Sequence, residues 1–289
     1  MPPVAVVTDS THYLPRDLVA AAGVHEVSLY VTDDGSQRRE LEIGDVGAFY
    51  QRLRTARDLP TTSQPSIGDF LAVLEPLAAA GRDVVAVHLA GGISGTVEAA
   101  RQAAREIGAR HPGRRVDVVD SGMACGALGC LVLAAAAAAR DGAGVDAVVE
   151  RTREAARGMR FWFAVETLEY LRRGGRIGPA RAWLGSALKV KPILTLDGEI
   201  TPVERVRTSG RAFERMVEYM RARRDDGADG WVVQHAGAPD AAERLVERGR
   251  EVFATEPLFV SEIGPVIGAH IGPGLVGTGG LPRALVSGA

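Results

Sequence analysis

The stretch Val84-Val85-Ala86-Val87-His88-Leu89-Ala90-Gly91-Gly92-Ile93-Ser94-Gly95-Thr96 decides the fold of this chain. Residues 84–89 form a short apolar run rich in β-branched side chains, which predicts a strand buried on both faces. Residues 90–96 are small and polar, which predicts a turn, and 97–107 continue as a helix. A strand, polar turn and helix in that order build a parallel sheet. The unit recurs on either side. Towards the N-terminus, residues 4–8 precede Asp9-Ser10-Thr11, and 15–22 read as a helix with Ser or Thr near its N-cap. Towards the C-terminus, residues 116–119 precede Asp120-Ser121 and a helical stretch over 122–140. Between the first two units lie residues 24–31, a polar link, a helix over 45–57, a turn at Pro60-Thr61-Thr62-Ser63-Gln64-Pro65-Ser66 and a helix over 68–79.

The pattern changes after about residue 158. Residues 161–165 read as a strand, a basic turn Arg172-Arg173-Gly174-Gly175-Arg176 follows, and 190–196 and 200–206 flank Asp197-Gly198, a hairpin signal. Residues 230–234 with 240–253, and 259–262 onward, add two further strand and helix units. The expectation is an α/β protein of two domains. Residues 1–158 form a three-layer α/β/α domain with a mostly parallel sheet, and 159–289 an α/β domain with a mixed sheet.

The 289 residues are 46% hydrophobic and 24% charged, which excludes a disordered tail or a collagen-like repeat. Thirty-four basic residues stand against 36 acidic ones, so no positive field argues for nucleic acid. Cys125 and Cys130 sit five apart, which is neither a CxxC redox pair nor half a zinc site, so no metal is expected. The opening residues reach Asp9 without a basic region, unlike a secretory signal, and a cytoplasmic location is expected. Residues 122–139 carry no charge for eighteen positions, the lower limit of a membrane span. They are mostly alanine and glycine, which gain little from lipid, so a helix packed tightly inside the protein is the expectation.

Ligands of open parallel sheets bind beyond the carboxyl ends of the strands. Those ends are rich in hydroxyls here: Ser10, Thr11, Thr62, Ser63, Ser66, Ser94, Thr96 and Ser121. Hydroxyls beside free backbone N–H groups suit a carboxylate or phosphate, although each can also simply cap a helix. Asp9 and Asp120 lack metal-ligand spacing and are expected to orient loops by accepting N–H bonds. The basic turn at 172–176 suits an anion, a partner protein or plain solvation. Residues 263–277 form a glycine-rich loop whose one polar side chain, His270, is expected to face a site. Within it, Gly272-Pro273-Gly274-Leu275-Val276-Gly277 matches G-x-G-x-x-G but leaves too few residues for a dinucleotide fold. Gly92-Ile93-Ser94-Gly95-Thr96 approaches a nucleophile elbow with Thr96 in place of the last glycine, which keeps a Ser94 and His270 esterase or thioesterase as an alternative. There is no P-loop.

Several segments in order resemble the DegV family: Val6-Val7-Thr8-Asp9-Ser10-Thr11, Thr62-Ser63-Gln64-Pro65-Ser66, Gly92-Ile93-Ser94-Gly95-Thr96, Val119-Asp120-Ser121, Leu171-Arg172-Arg173-Gly174-Gly175-Arg176-Ile177, Leu188-Lys189-Val190-Lys191-Pro192-Ile193-Leu194 and Gly268-Ala269-His270-Ile271-Gly272-Pro273-Gly274. The resemblance implies a two-domain fatty-acid-binding protein that buries a long acyl chain and holds its carboxylate near the domain interface. It further implies a lipid-presenting subunit with no turnover alone and no cofactor, which hands the acid to a partner ATP-dependent kinase that makes the acyl phosphate. Transient membrane contact fits that role. By motif, Thr62 and Ser94 resemble the hydroxyls that hold the carboxylate, His270 a third contact and Ser63 a neighbouring one. Arg205 and Arg207, in Val203-Glu204-Arg205-Val206-Arg207, are the two candidates for a partner or phosphate contact. Ala90-Gly91-Gly92 departs from relatives that often carry serine there.

Overall fold

The computed structural model of the chain describes residues 4–184 and 190–287. Leu188 and Lys189 of the family-like segment, and Met1 to Pro3, lie outside the described residues. In chain order the first half contains β1 (Ala5–Asp9), α1 (Arg16–Ala22), β2 (His25–Val27), β3 (Tyr30–Asp33), β4 (Ser36–Arg39), α2 (Val46–Thr55), β5 (Thr61–Ser63), α3 (Ile67–Ala79), β6 (Val84–His88), α4 (Thr96–Arg110), β7 (Val116–Asp120), α5 (Cys125–Arg140) and α6 (Val145–Gly158). The second half contains β8 (Arg160–Ala164), α7 (Glu169–Arg173), β9 (Lys191–Asp197), β10 (Glu199–Val206), α8 (Ser209–Asp225), β11 (Gly230–His235), α9 (Pro239–Phe253), β12 (Phe259–Glu262), α10 (Pro265–Ile271) and β13 (Val276–Leu281).

Strands β2, β1, β6 and β7 form a four-stranded sheet in that order, parallel throughout. Alternate residues of its central strands serve opposite faces. Ala5, Val7, Val84 and Ala86 pack with Phe70, Leu74, Ala103 and Ile107 of α3 and α4, whereas Val6, Val85 and Val87 pack with α5. This period-two division of a continuous apolar run makes the three layers expected of the N-terminal half.

Helix α5 is the uncharged alanine-rich run. It packs on β1 and β6 of the first sheet and on β11 of the second. The backbone N–H of Gly126 donates to the Gln234 side chain of β11. A helix enclosed by two sheets requires small side chains around its circumference, which accounts for the composition without a membrane. Among the described residues no helix is long and apolar enough to cross a membrane.

The second sheet is six-stranded and mixed, in the order β10-β9-β8-β13-β11-β12, with only β11 and β12 parallel. Helices α8 and α9 cover one face, packing Met216, Val217 and Leu245 against the fully buried Trp231 of β11, and the other face, through Phe161, Phe163 and Leu194, turns toward α5. Asp197-Gly198 is the hairpin turn between β9 and β10, with Gly198 at φ +73°. We propose 158/159 as the domain boundary, since it separates the last helix on the parallel sheet from the first strand of the mixed one.

Three expectations change. Residues 60–66 are not a plain turn, because Thr61–Ser63 pair antiparallel with β3 in a small sheet ordered β4-β3-β5. Residues 263–277 are not a loop. Pro265 opens α10, a position where its missing N–H costs nothing, and Gly272 at φ +73° ends the helix before β13 begins. Helix α1 has no Ser or Thr cap. Pro15 precedes it with no side-chain capping bond, while Ser10 and Thr11 bond to Glu40 and Asp9 instead.

Candidate functional site

A cavity of about 390 Å³ lies between the two sheets. Its apolar wall comes from both sheets and the helices between them: Leu89 after β6, Ala124 and Ala127 at the start of α5, Phe161 and Phe163 on β8, Leu196 and Ile200 on the β9–β10 hairpin, and Val266, Ile267 and Ile271 on α10. The polar lining residues adjoin one another. Thr62 Oγ1 lies 2.7 Å from His270 Nε2. A Cβ on Gly174 would meet His270 Nδ1 at 2.3 Å, so glycine is required for the imidazole to sit where it does. Arg176 follows that turn and donates to the carbonyls of Gly174 at 2.8 Å and Ile93 at 3.3 Å, which ties it to Ser94. Ser94 Oγ in turn pairs with Thr96 Oγ1 at 2.8 Å. Ser63, Gln64, Gly95 and Arg176 are exposed and Thr62, Ser94 and His270 half-buried, so this polar end is the mouth of an otherwise apolar cavity.

The electrostatics suit an anion. Among the described residues, no aspartate or glutamate lines the cavity. Burial, assisted by the nearby Arg176 guanidinium, pushes His270 down to about 4, so its ring is neutral near pH 7. Nδ1 is buried with no hydrogen-bond partner among the described residues. With its proton on Nε2 the ring donates to Thr62 Oγ1 and leaves the threonine hydroxyl proton free to point into the cavity; with its proton on Nδ1 it accepts that proton instead.

The remaining hydroxyls have local duties. Ser66 caps α3, Thr11 bonds to Asp9, and Ser121 bonds to the Met123 carbonyl. Asp9 and Asp120 orient loops as expected: Asp9 accepts from Thr11 N and Leu89 N, and Asp120 from Gly91 N and Gly122 N. Cys125 and Cys130 are free and buried, and burial pushes Cys130 up to about 12. The basic segment is not all turn, since Arg172 and Arg173 end α7; Arg172 pairs with Glu169 and Arg173 donates to the Arg57 carbonyl, which leaves Arg176 as the member on the cavity. Its position directly after Gly174-Gly175 was the available signal.

Of the candidates read from sequence, Thr62, Ser63, Ser94 and His270 come together on this one cavity. Arg205 and Arg207 do not line it; both are exposed, and Arg205 stacks over Trp183 at 5.1 Å. The esterase alternative finds no support in the geometry. Ser94 bonds to Thr96 and His270 to Thr62, and among the described residues no carboxylate hydrogen-bonds to His270 Nδ1.

A family model described as "Uncharacterised protein, DegV family" matches residues 3–283. The chain belongs to the DegV family. This DegV chain is 44% identical over 278 residues to a DegV domain-containing protein of Streptomyces coelicolor, covering 95% of this chain and 96% of the relative. It is 35% identical over 283 residues to protein DegV of Bacillus subtilis, covering 95% and 97%. Among solved structures, a DegV family protein from Thermus thermophilus described by its fatty acid binding superposes with a TM-score of 0.87 at 36% identity, over 97% of this chain and 99% of that one. DegV of Bacillus subtilis, described as a fatty acid binding protein, superposes with a TM-score of 0.86 at 34% identity, over 96% and 99%.

Proposed function

We propose that this protein binds a long-chain fatty acid, with the acyl tail in the cavity between the sheets and the carboxylate at the mouth against Thr62, Ser94 and His270, with Ser63 beside them. The observation that carries this is the division of one cavity into an apolar body and a hydroxyl–imidazole mouth free, among the described residues, of acidic side chains. Tail burial supplies affinity at about 0.8 kcal/mol per CH₂. A carboxylate beside an apolar tail needs hydrogen bonds, and Thr62 offers one when His270 carries its proton on Nε2. The fatty-acid descriptions of relatives at 36% and 34% identity support the same ligand class.

The mouth exposes the carboxylate end while hiding the tail, an arrangement suited to handing the acid to another protein. We propose that the chain has no turnover alone and presents its ligand to an ATP-dependent kinase in the cytoplasm, with transient membrane contact when ligand is exchanged. Exposed Arg205 and Arg207 are the proposed contacts with that partner.

Mass spectrometry of an organic extract of protein purified from cells tests the ligand. A stoichiometric fatty acid, depleted in the Thr62→Ala/Ser94→Ala variant, is the expected result. An empty cavity in the intact protein, or equal loading of the variant, overturns the assignment.

A further inference from the structure

One wall of the cavity is fastened from behind by a carboxylate that does not line it. Glu40 follows β4 and is 5% exposed. Its Oε1 accepts from the backbone N–H of Val266 at 2.8 Å and from the Tyr13 hydroxyl at 2.8 Å, and its Oε2 accepts from Ser10 Oγ at 2.5 Å. The Tyr13 hydroxyl oxygen accepts from Ile267 N at 3.2 Å. Val266 and Ile267 occupy the first turn of α10, where a backbone N–H has no partner inside the helix, and both line the cavity. The hub also fixes a second lining residue, Leu29, whose N–H donates to Ser10 Oγ at 3.1 Å and whose carbonyl accepts from Glu40 N at 2.9 Å. A Cβ on Gly264 would meet Glu40 Oε1 at 2.7 Å, so the start of α10 rests directly on the carboxylate.

We propose that Glu40 is a positioning residue for the ligand cavity: its ionised carboxylate holds the first turn of α10 and Leu29 where a bound acyl chain needs them, and its protonation loosens that hold and lowers affinity. This rests on the fatty-acid reading of the cavity. The ionised form binds Val266 N–H and both hydroxyls by charge-assisted bonds, about twice as strong as neutral ones. The neutral acid turns one oxygen into a donor towards Ser10 and weakens the rest. Burial, with the charge of Asp9 beside it, pushes Glu40 up to about 7 against the pull of Ser10, Val266 N–H and Tyr13, so the change falls near neutral pH.

The other titratable groups facing Glu40 are Asp9 at the end of β1, Tyr13, Tyr50 of α2 and Cys125 at the start of α5. Burial raises Tyr13, Tyr50 and Cys125 well above neutrality. Burial alone would raise Asp9, but its bonds to His88, Thr11 and Leu89 N–H hold it below the usual carboxylate value. His270, at the other end of α10, titrates near 4. Among these groups only Glu40 changes charge around pH 7.

The test uses delipidated protein and two probes of constant charge, a long-chain alkyl sulfonate and a long-chain fatty alcohol, titrated between about pH 5.5 and 8.5. Wild-type affinity for both is expected to fall by up to tenfold per pH unit below about 7 and to level off above it, while Glu40→Gln gives a flat profile. A flat wild-type profile, or the same slope in the variant, overturns the proposal. Should the variant fail to fold, the backbone amide resonance of Val266 in unliganded wild-type protein decides: a titration midpoint near 7 is expected, and none overturns it. If neither probe binds at any pH while Val266 titrates, the fatty-acid reading fails and the hold of Glu40 on α10 stands.

Discussion

Replacing Thr62 by valine separates the head-group chemistry from tail burial, because the shape is kept and only the hydroxyl is lost. In the free protein the change removes the 2.7 Å contact to His270 Nε2. With Nδ1 already unpartnered, the half-buried ring then has no hydrogen bond within the protein. Leaving such a group unsatisfied costs about 1–3 kcal/mol, so the unliganded variant is expected to melt a few degrees lower. In the complex the variant loses one hydrogen bond to a charged carboxylate, worth about 1.5–3 kcal/mol, but the freed Nε2–H can donate to the ligand in its place. Part of the loss is therefore recovered, and a weakening of about 10- to 30-fold for a fatty acid follows. For the fatty alcohol of equal length, which presents no charge at the mouth, the change is expected to stay within about threefold. Competition against a fluorescent acyl probe measures both. Unchanged affinity for the acid, or equal losses for acid and alcohol, refutes the placement of the carboxylate against Thr62.

Gly174→Ala places a methyl 2.3 Å from His270 Nδ1 and is expected to displace the ring, costing at least tenfold in fatty-acid affinity; wild-type affinity in the same competition assay would show that the ring position is immaterial. Glu26 is held at about 2: burial opposes the shift, but hydrogen bonds and charge from His12 and Arg16 outweigh it. A lowered carboxylate adds stability above its unfolded value and loses it as pH falls toward the folded one. Glu26→Gln is therefore expected to be less stable than wild type at pH 7, with the gap closing between about pH 4.5 and 2 in denaturant titrations; a gap independent of pH would remove the ion pairs as its cause.

The parallel sheet was legible because each central strand is a continuous apolar run between turns, a pattern set locally. So was the hairpin, since Asp197-Gly198 demands a reversal. The elements that carry Thr62 and His270 were not legible as elements. Strand β5 is three polar residues whose partner, β3, lies 30 positions away, and α10 is a glycine-containing single helix anchored by Glu40 and Tyr13 across 226 and 254 positions. Strand β13 reads Val-Gly-Thr-Gly-Gly-Leu, with no alternation to mark it. The residues at the cavity mouth were readable as candidates because hydroxyls after strands and a histidine among glycines are unusual in type. Arg176 was visible only as part of a charged turn, and Glu40 carried no signal, since nothing in Arg39-Glu40-Leu41-Glu42 tells which acid is buried.

Helix α5 belongs to both halves of the molecule at once, and that governs how the chain can be taken apart. A fragment ending at residue 158 would carry off the helix but leave its β11-facing side wet, while the remaining fragment would lose the surface that backs its sheet. Neither piece has a finished interior, so the two are complements rather than modules. Grafting one half onto a homologue's other half thus means matching a helix surface to a foreign sheet at the spacing of an alanine side chain.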